Sequence, residues 1–296
     1  MRSFRFIALV PLLVGVAYAG PGRSSTVPAA SEPAGRIAFS AGPLEPGRSN
    51  IYVYDLGTGR TAQVTRGRGI EFDPALSPDG KRVAWRSIRN ANEEVRVARL
   101  DGTNVRNLTH HPALDYAPAW SPDGRKLAFA STRGNSLGLP HVWVMNADGT
   151  NAHALSRALG GEYPAWSPNG KRIVFATNPA VRQDGFDLAV ADADGANAHR
   201  ITRNDVYEMG PAWSPDGRWI AFYAGNGGHH DLYLMRPDGS RRRLLARGGE
   251  MPSWSPDGRY IAYAAPLGLV VIRPDGQEVA RLATGVSGVN FTSWSR

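Results

Sequence analysis

Five acidic residues recur along the chain, each followed by an aromatic residue or a methionine: Glu71-Phe72, Asp115-Tyr116, Glu162-Tyr163, Glu208-Met209 and Glu250-Met251. A sixth place in the series carries Asn290-Phe291. Carboxylate oxygens suit a divalent cation such as calcium, and ring faces attract ammonium and guanidinium groups. A ring of such groups therefore holds a cation or a basic peptide. The candidate ligand-binding set is Glu71, Asp115, Glu162, Glu208, Glu250 and Asn290, with Tyr116 and Tyr163 beside them. The competing reading is that each carboxylate caps backbone amides of a neighbouring element.

Other constellations carry less chemistry. Gly134-Asn135-Ser136-Leu137-Gly138 matches the Gly-x-Ser-x-Gly pattern of serine hydrolases, but that motif works on a strand-to-helix elbow and no helix is expected after it. The histidine pairs His110-His111 and His229-His230 fall in separate loops, so no shared metal and no catalytic residue is assigned. With no cysteine in the chain, disulfides, thiol catalysis and Cys-type zinc sites are excluded. Arg241-Arg242-Arg243 reads as a solvated strand edge.

The elements that position these residues follow from an internal repeat. Trp213-Ser214-Pro215-Asp216-Gly217-Arg218-Trp219-Ile220-Ala221-Phe222 recurs at 76–85, 120–129, 166–175 and 254–263, and Ser293-Trp294-Ser295 opens a sixth copy. The motif serines stand 44, 46, 47, 41 and 40 residues apart, the period of a four-stranded propeller blade. Proline presets φ in the turn and glycine accepts the left-handed return into a strand. After the turn the apolar residues alternate: Leu127 and Phe129 face one way, Ala128 and Ala130 the other. A second hairpin follows, marked by Asp-Gly at 148–149 and 238–239, with outer strands expected at 152–156 and 243–245. Each repeat thus gives strands A to D, A innermost.

Trp120-Ser121-Pro122-Asp123-Gly124, its sisters and the downstream Asp-Gly hairpins resemble the TolB-like propeller repeats, relatives of the WD repeats. The resemblance covers roughly residues 35–296 and implies an all-β, six-bladed propeller of four-stranded antiparallel blades. The family's namesake has a separate N-terminal domain that engages a membrane partner, for which the residues before 35 leave no room.

Gly35–Ser40 reads as a strand B without its strand A, and the missing strand is expected at the other end, 289–294. The ring then closes on a composite blade, which removes two exposed sheet edges, and a monomer is expected. Residues 1–19 read as a signal peptide: Arg2 and Arg5, a short apolar run, then Ala17-Tyr18-Ala19. Residues 20–34, rich in Pro, Ser, Gly and Ala, read as a flexible linker, with no stable membrane span after cleavage. The formal net charge is +8 and falls to about +6 without Arg2 and Arg5. No base-stacking module accompanies that charge, so nucleic acid is not expected as a partner.

In a propeller the D–A and B–C connections share one face, and here those loops vary while the tight turns are uniform. The five acidic residues stand at the start of strand A on that loop face. Glu71, Asp115 and Glu208 lie five residues before the motif's Trp or Leu, Glu162 and Glu250 only four. Period two aims the two groups differently unless bulges intervene. The expected function is an exported, non-enzymatic scaffold that binds a protein or a cell-envelope polymer through its loop face or channel. The alternative is a channel-centred lyase or lactonase-type hydrolase using a divalent cation.

Overall fold

The computed structural model describes residues 32–42, 48–67, 69–135, 137–155, 159–178, 185–226 and 228–295. The signal-peptide reading lies outside the described residues, as does most of the linker. Ser136 of the Gly-x-Ser-x-Gly match lies outside them too.

The repeated turn explains itself atom by atom. In the first full copy the Ser77 hydroxyl donates to Asp79 at 2.5 Å, and Asp79 accepts the Lys81 amide at 3.1 Å. Ser77 Oγ also accepts the Arg82 amide at 2.9 Å. Gly80 turns left-handed, φ 64°, to re-enter the strand. The same serine-to-carboxylate bond recurs at Ser121–Asp123, Ser214–Asp216 and Ser255–Asp257, and Asn169 takes the role after Ser167.

Each turn joins the two inner strands of a four-stranded antiparallel blade. Six blades result. Blade I is Asn290–Ser295, Arg36–Ala41, Asn50–Asp55 and Arg60–Gln63. Blade II is Ile70–Leu76, Arg82–Arg89, Asn92–Arg99 and Arg106–Asn107; blade III is Asp115–Trp120, Lys126–Ser131, His141–Asn146 and His153–Ala154. Blade IV is Glu162–Trp166, Arg172–Thr177, Asp187–Asp192 and His199–Arg200. Blade V is Tyr207–Trp213, Ile220–Asn226, His229–Met235 and Arg243–Ala246, and blade VI is Glu250–Trp254, Ile261–Ala265, Gly268–Ile272 and Glu278–Leu282. The innermost strands contact one another in a closed cycle. Blade I is composite as expected: Ile37 pairs with Trp294 and Ala38 with Ser293. Among the described residues the outer strand expected over 152–156 pairs only across His153–Ala154, whereas the one expected over 243–245 runs Arg243–Ala246.

Blades stack large on small. Leu127 and Phe129 of blade III pack on Ala84 of blade II, while Ala128 takes Ile173 and Phe175 of blade IV. Fully buried aromatic and aliphatic side chains of this kind each contribute about 1.5–3 kcal/mol. Tryptophans tie the seams as well: Trp120 Nε1 donates to Ala75 O at 3.0 Å, Trp166 to Ala119 O and Trp254 to Ala212 O, both at 3.2 Å. The Asp-Gly turns sit so close to the preceding blade that only glycine fits. A Cβ on Gly195 would lie 1.7 Å from Leu155 O, and one on Gly239 2.0 Å from Ile201 O.

Candidate functional site

Every innermost strand carries a bulge at the same place. The register slips between Phe72 and Ala75, Tyr116 and Ala119, Glu162 and Ala165, Met209 and Ala212, Glu250 and Ser253. At each slip one residue turns left-handed: Asp73, Ala117, Tyr163, Gly210, Met251 and Phe291, with φ between 49° and 57°. In five of the six blades the next residue is proline, which has no amide to leave unpaired on an edge facing the channel. The bulge turns these pairs toward the axis, where they line a cavity of about 110 Å³.

The five acidic residues divide by register. Glu71, Asp115 and Glu208 are buried, at most 1 % exposed, in pairs beside the channel wall. Glu71 accepts from Arg89 at 2.8 Å and from the Trp85 indole. Asp115 accepts from Arg133 at 2.6 Å; burial raises its pKa, and the bonds from Arg133 and Ser131 offset that in part. Glu208 accepts from Arg242 and, at 3.0 Å, from Asn204. Arg242 reaches this carboxylate across the Tyr233 ring, so it is no mere solvated edge.

Blades IV and VI have glycine where those three acids stand. A Cβ at Gly161 would meet Val142 at 2.7 Å, and one at Gly249 would meet Tyr263 at 2.4 Å. The acidic residue therefore stands one place later, at the mouth. Glu162 accepts from the Tyr116 hydroxyl; burial raises its pKa, opposed by that bond and by Arg86. Glu250, with a side chain 45 % exposed, lies 2.6 Å from His230 Nδ1. So Tyr116, Tyr163, Glu162 and Glu250 are at the mouth, Asn290 lines an adjoining groove with Glu250, and Glu71, Asp115 and Glu208 are set apart in arginine pairs.

Aromatic rings bridge the mouth. Tyr163 of blade IV and Phe291 of blade I, on opposite sides of the ring, stack at 6.3 Å with planes 8° apart. Phe72 joins Phe291 at 5.8 Å and Tyr116 joins Tyr163 at 6.4 Å. Arg86 lies over both Phe72 and Tyr116, 3.6 Å from Asp73 and 3.2 Å from Glu93. Asp73 itself is 6 % exposed. Burial pushes it up to about 6, with Arg86 and the Ala117 amide pulling back and Glu93 and Glu162 adding to the rise. One arginine thus faces three carboxylates. Among the described residues no three His, Asp or Glu side chains are grouped to hold a metal ion.

His230 stacks beside Tyr207 at 5.6 Å and Tyr223 at 5.2 Å, at the edge of a groove of about 590 Å³ that includes Arg247 and Asn290. His110 and His111 are remote from it; His111 accepts the Ala113 amide. The Gly-x-Ser-x-Gly match lies between Lys126–Ser131 and His141–Asn146, with no helix after it among the described residues.

The family model for the TolB beta propeller domain matches residues 22–178 and 160–288. The chain belongs to the TolB beta-propeller family. TolB of Acinetobacter baumannii superposes with a TM-score of 0.76 at 22 % identity, over 88 % of this chain and 67 % of that one. An oligogalacturonate lyase in complex with manganese superposes at 0.53 and 18 % identity, over 80 % of this chain and 70 % of that one. Identities this low show the fold alone. Among curated proteins, dipeptidyl-peptidase 5 of Porphyromonas gingivalis is 42 % identical over 53 residues, 18 % of this chain and 8 % of that protein. Tricorn protease homolog 1 of Streptomyces coelicolor is 34 % identical over 74 residues, 25 % of this chain and 6 % of that protein. These matches span less than a tenth of either peptidase.

Sequence reasoning missed three mouth residues. Asp73 had a signal: aligned on the repeats, it is the acid where the other blades carry Ala, Tyr, Gly, Met and Phe. Arg86 stands where blades III, IV and VI carry alanine. His230 stands out only as half of a histidine pair, and nothing local marks its partner Glu250, twenty residues away.

Proposed function

We propose that this TolB-like propeller is an exported binding scaffold that takes a segment of a protein, or of a cell-envelope polymer, on its loop face at the channel mouth. The observation that carries the reading is the chemistry gathered there: half-buried Tyr116, Glu162, Tyr207 and Glu250 around aromatic rings that bridge the channel. Amphipathic rings and a few convergent polar groups on a rigid scaffold are what a recognition surface needs. Export rests on the reading of residues 1–19 and on family likeness. The test is capture from the cell envelope by the immobilised chain, compared with Tyr116→Ala and Glu162→Lys. Selective loss of one captured partner in both variants supports the reading; capture unchanged in both removes the mouth from it.

One observation favours a second reading, a lyase or hydrolase. The His230–Glu250 pair at the edge of the 590 Å³ groove has the form of a base with its orienting carboxylate. Incubation with oligogalacturonate and manganese, for the chain and for His230→Gln, decides it. Histidine-dependent appearance of unsaturated product would displace the scaffold reading.

A further inference from the structure

Blades II and V carry the same two arginines in their outer hairpins and hold them differently. Arg99 and Arg236 each stand two places before the aspartate of the Asp-Gly turn, and Arg106 and Arg243 each stand five places after it. In blade V both lie against Trp219, Arg236 at 4.2 Å and Arg243 at 5.7 Å from the ring centroid. Arg236 also donates to Arg218 O at 3.2 Å, and Arg243 to Pro274 O at 2.5 Å. In blade II the place of Trp219 is taken by Arg82. Arg82 is drawn onto Trp120 of blade III, 4.4 Å from its ring, and offers its neighbours a like charge instead of a ring face. Arg99 and Arg106 are exposed, and among the described residues neither side chain has an ion pair or a hydrogen bond. The same holds for the exposed side chain of Lys81.

These side chains line one groove of about 620 Å³ on the face of the tight turns. Lys81, Arg82, Arg99 and Arg106 stand there with Arg36, against Asp79 and Asp101. Arg36 is met by Asp55 at 3.2 Å. Both groove carboxylates are engaged in their own turns: Asp79 accepts from Ser77 and the Lys81 amide, Asp101 from the hydroxyl and amide of Thr103. Four cations then face two carboxylates, a surplus of two positive charges. The surplus belongs to this blade. In the strand register the place of Arg99 is held by Asp55 in blade I and by Asn146 in blade III. The turns of blade III match Arg125 and Lys126 with Asp123 and Asp148. A concave site with so local a surplus gathers a compact anion rather than a long polyanion, and planar guanidinium forks suit the paired oxygens of carboxylate or phosphate.

We propose that this groove binds a compact anion of two or more charges, a polycarboxylate or a phosphate compound, through Lys81, Arg99 and Arg106. The anion supplies the neutralisation that Trp219 and the carbonyls of Arg218 and Pro274 give the matching arginines of blade V. The face is opposite to the channel mouth, so the inference stands apart from the function proposed above.

The probes are citrate and pyrophosphate, each titrated into the purified full chain by calorimetry, with acetate as the singly charged control. At least one of the two is expected to bind, and more weakly as salt is raised. Binding of pyrophosphate alone names phosphate as the recognised group, and binding of citrate alone names carboxylate; either supports the site. Arg99→Gln with Arg106→Gln should weaken binding at least about tenfold, because two charge-assisted contacts are lost. Both side chains are exposed and unbonded, so this variant should melt no lower than the parent. Arg82→Trp, which gives the two arginines the ring that blade V has, should also weaken binding; should that variant fail to fold, the glutamine pair decides alone. Absence of binding by both anions, or equal binding by the glutamine pair, overturns the proposal. So does acetate that binds as tightly as they do, which leaves only general screening. Heparin that binds more tightly than either anion through the same arginines would assign the groove to a polysaccharide and likewise overturn it.

Discussion

Asp73 is a buried carboxyl, 6 % exposed, 3.6 Å from the Arg86 guanidinium. It titrates near 6 in the fold, against about 4 in an unfolded chain. The folded state therefore binds the extra proton between those values. Stability from the protonated form is complete below about pH 4 and is lost as the pH rises through about 6, by roughly 2–3 kcal/mol. Asp73→Asn should be more stable than the parent at neutral pH and should flatten the dependence of the melt between pH 4 and 6. Equal slopes for the two proteins across that window would refute the buried-charge account. Two glutamates one register apart give a second contrast. Glu208→Gln leaves Arg242 facing a neutral amide and should cost about 1–3 kcal/mol, discounted because that arginine is partly exposed. Glu162→Gln removes a charge that burial disfavours and keeps an acceptor for Tyr116, so its unfolding midpoint in urea should stay close to the parent's.

At the scale of the element, the Asp-Gly turn is where blade meets blade. Gly195→Ala forces a Cβ into the Leu155 carbonyl at a φ of 89°, and a loss on the order of 3 kcal/mol is expected. Gly134→Ala, with φ 68° and nothing within 4 Å of its Cβ, should cost only about 1 kcal/mol. Similar melts for the two variants would mean that close packing of the turn does not govern stability. The turns were legible in the sequence because their chemistry is local: Ser77, Asp79 and Gly80 bond within six residues. The bulges were not. Tyr163-Pro164 and Met251-Pro252 look like ordinary extended dipeptides, and only the closed ring shows them left-handed. The split of the acids into two registers was readable from their spacing. That Glu71 meets Arg89 and Glu250 meets His230 was not, since long-range pairing leaves no periodic trace.

For the whole molecule, the period and the unpaired strand at Arg36–Ala41 already specify six blades and their composite closure. Removing 289–296 takes away that blade's inner strand and, with it, Trp294 and the Ser293 acceptor for Leu76. A large fraction of a net stability of roughly 5–15 kcal/mol should go with it, and the truncated chain should aggregate. Light scattering and a thermal melt check this; an unchanged midpoint would contradict closure.

The same blade sets an order of events in time. Five blades are each built from one contiguous stretch, so they can form as soon as that stretch is available. Ser40, by contrast, bonds to a partner 250 positions away. A chain appearing from its N-terminal side carries three orphan strands throughout, with Ile37 and Phe39 unsheltered, until 290–295 arrive. Closing so long a loop is slow. The vulnerable interval for this protein is therefore the last one before the ring locks, and a holding factor that shields Arg36–Ala41 during that interval should raise the yield of native rings more than one acting on any other strand.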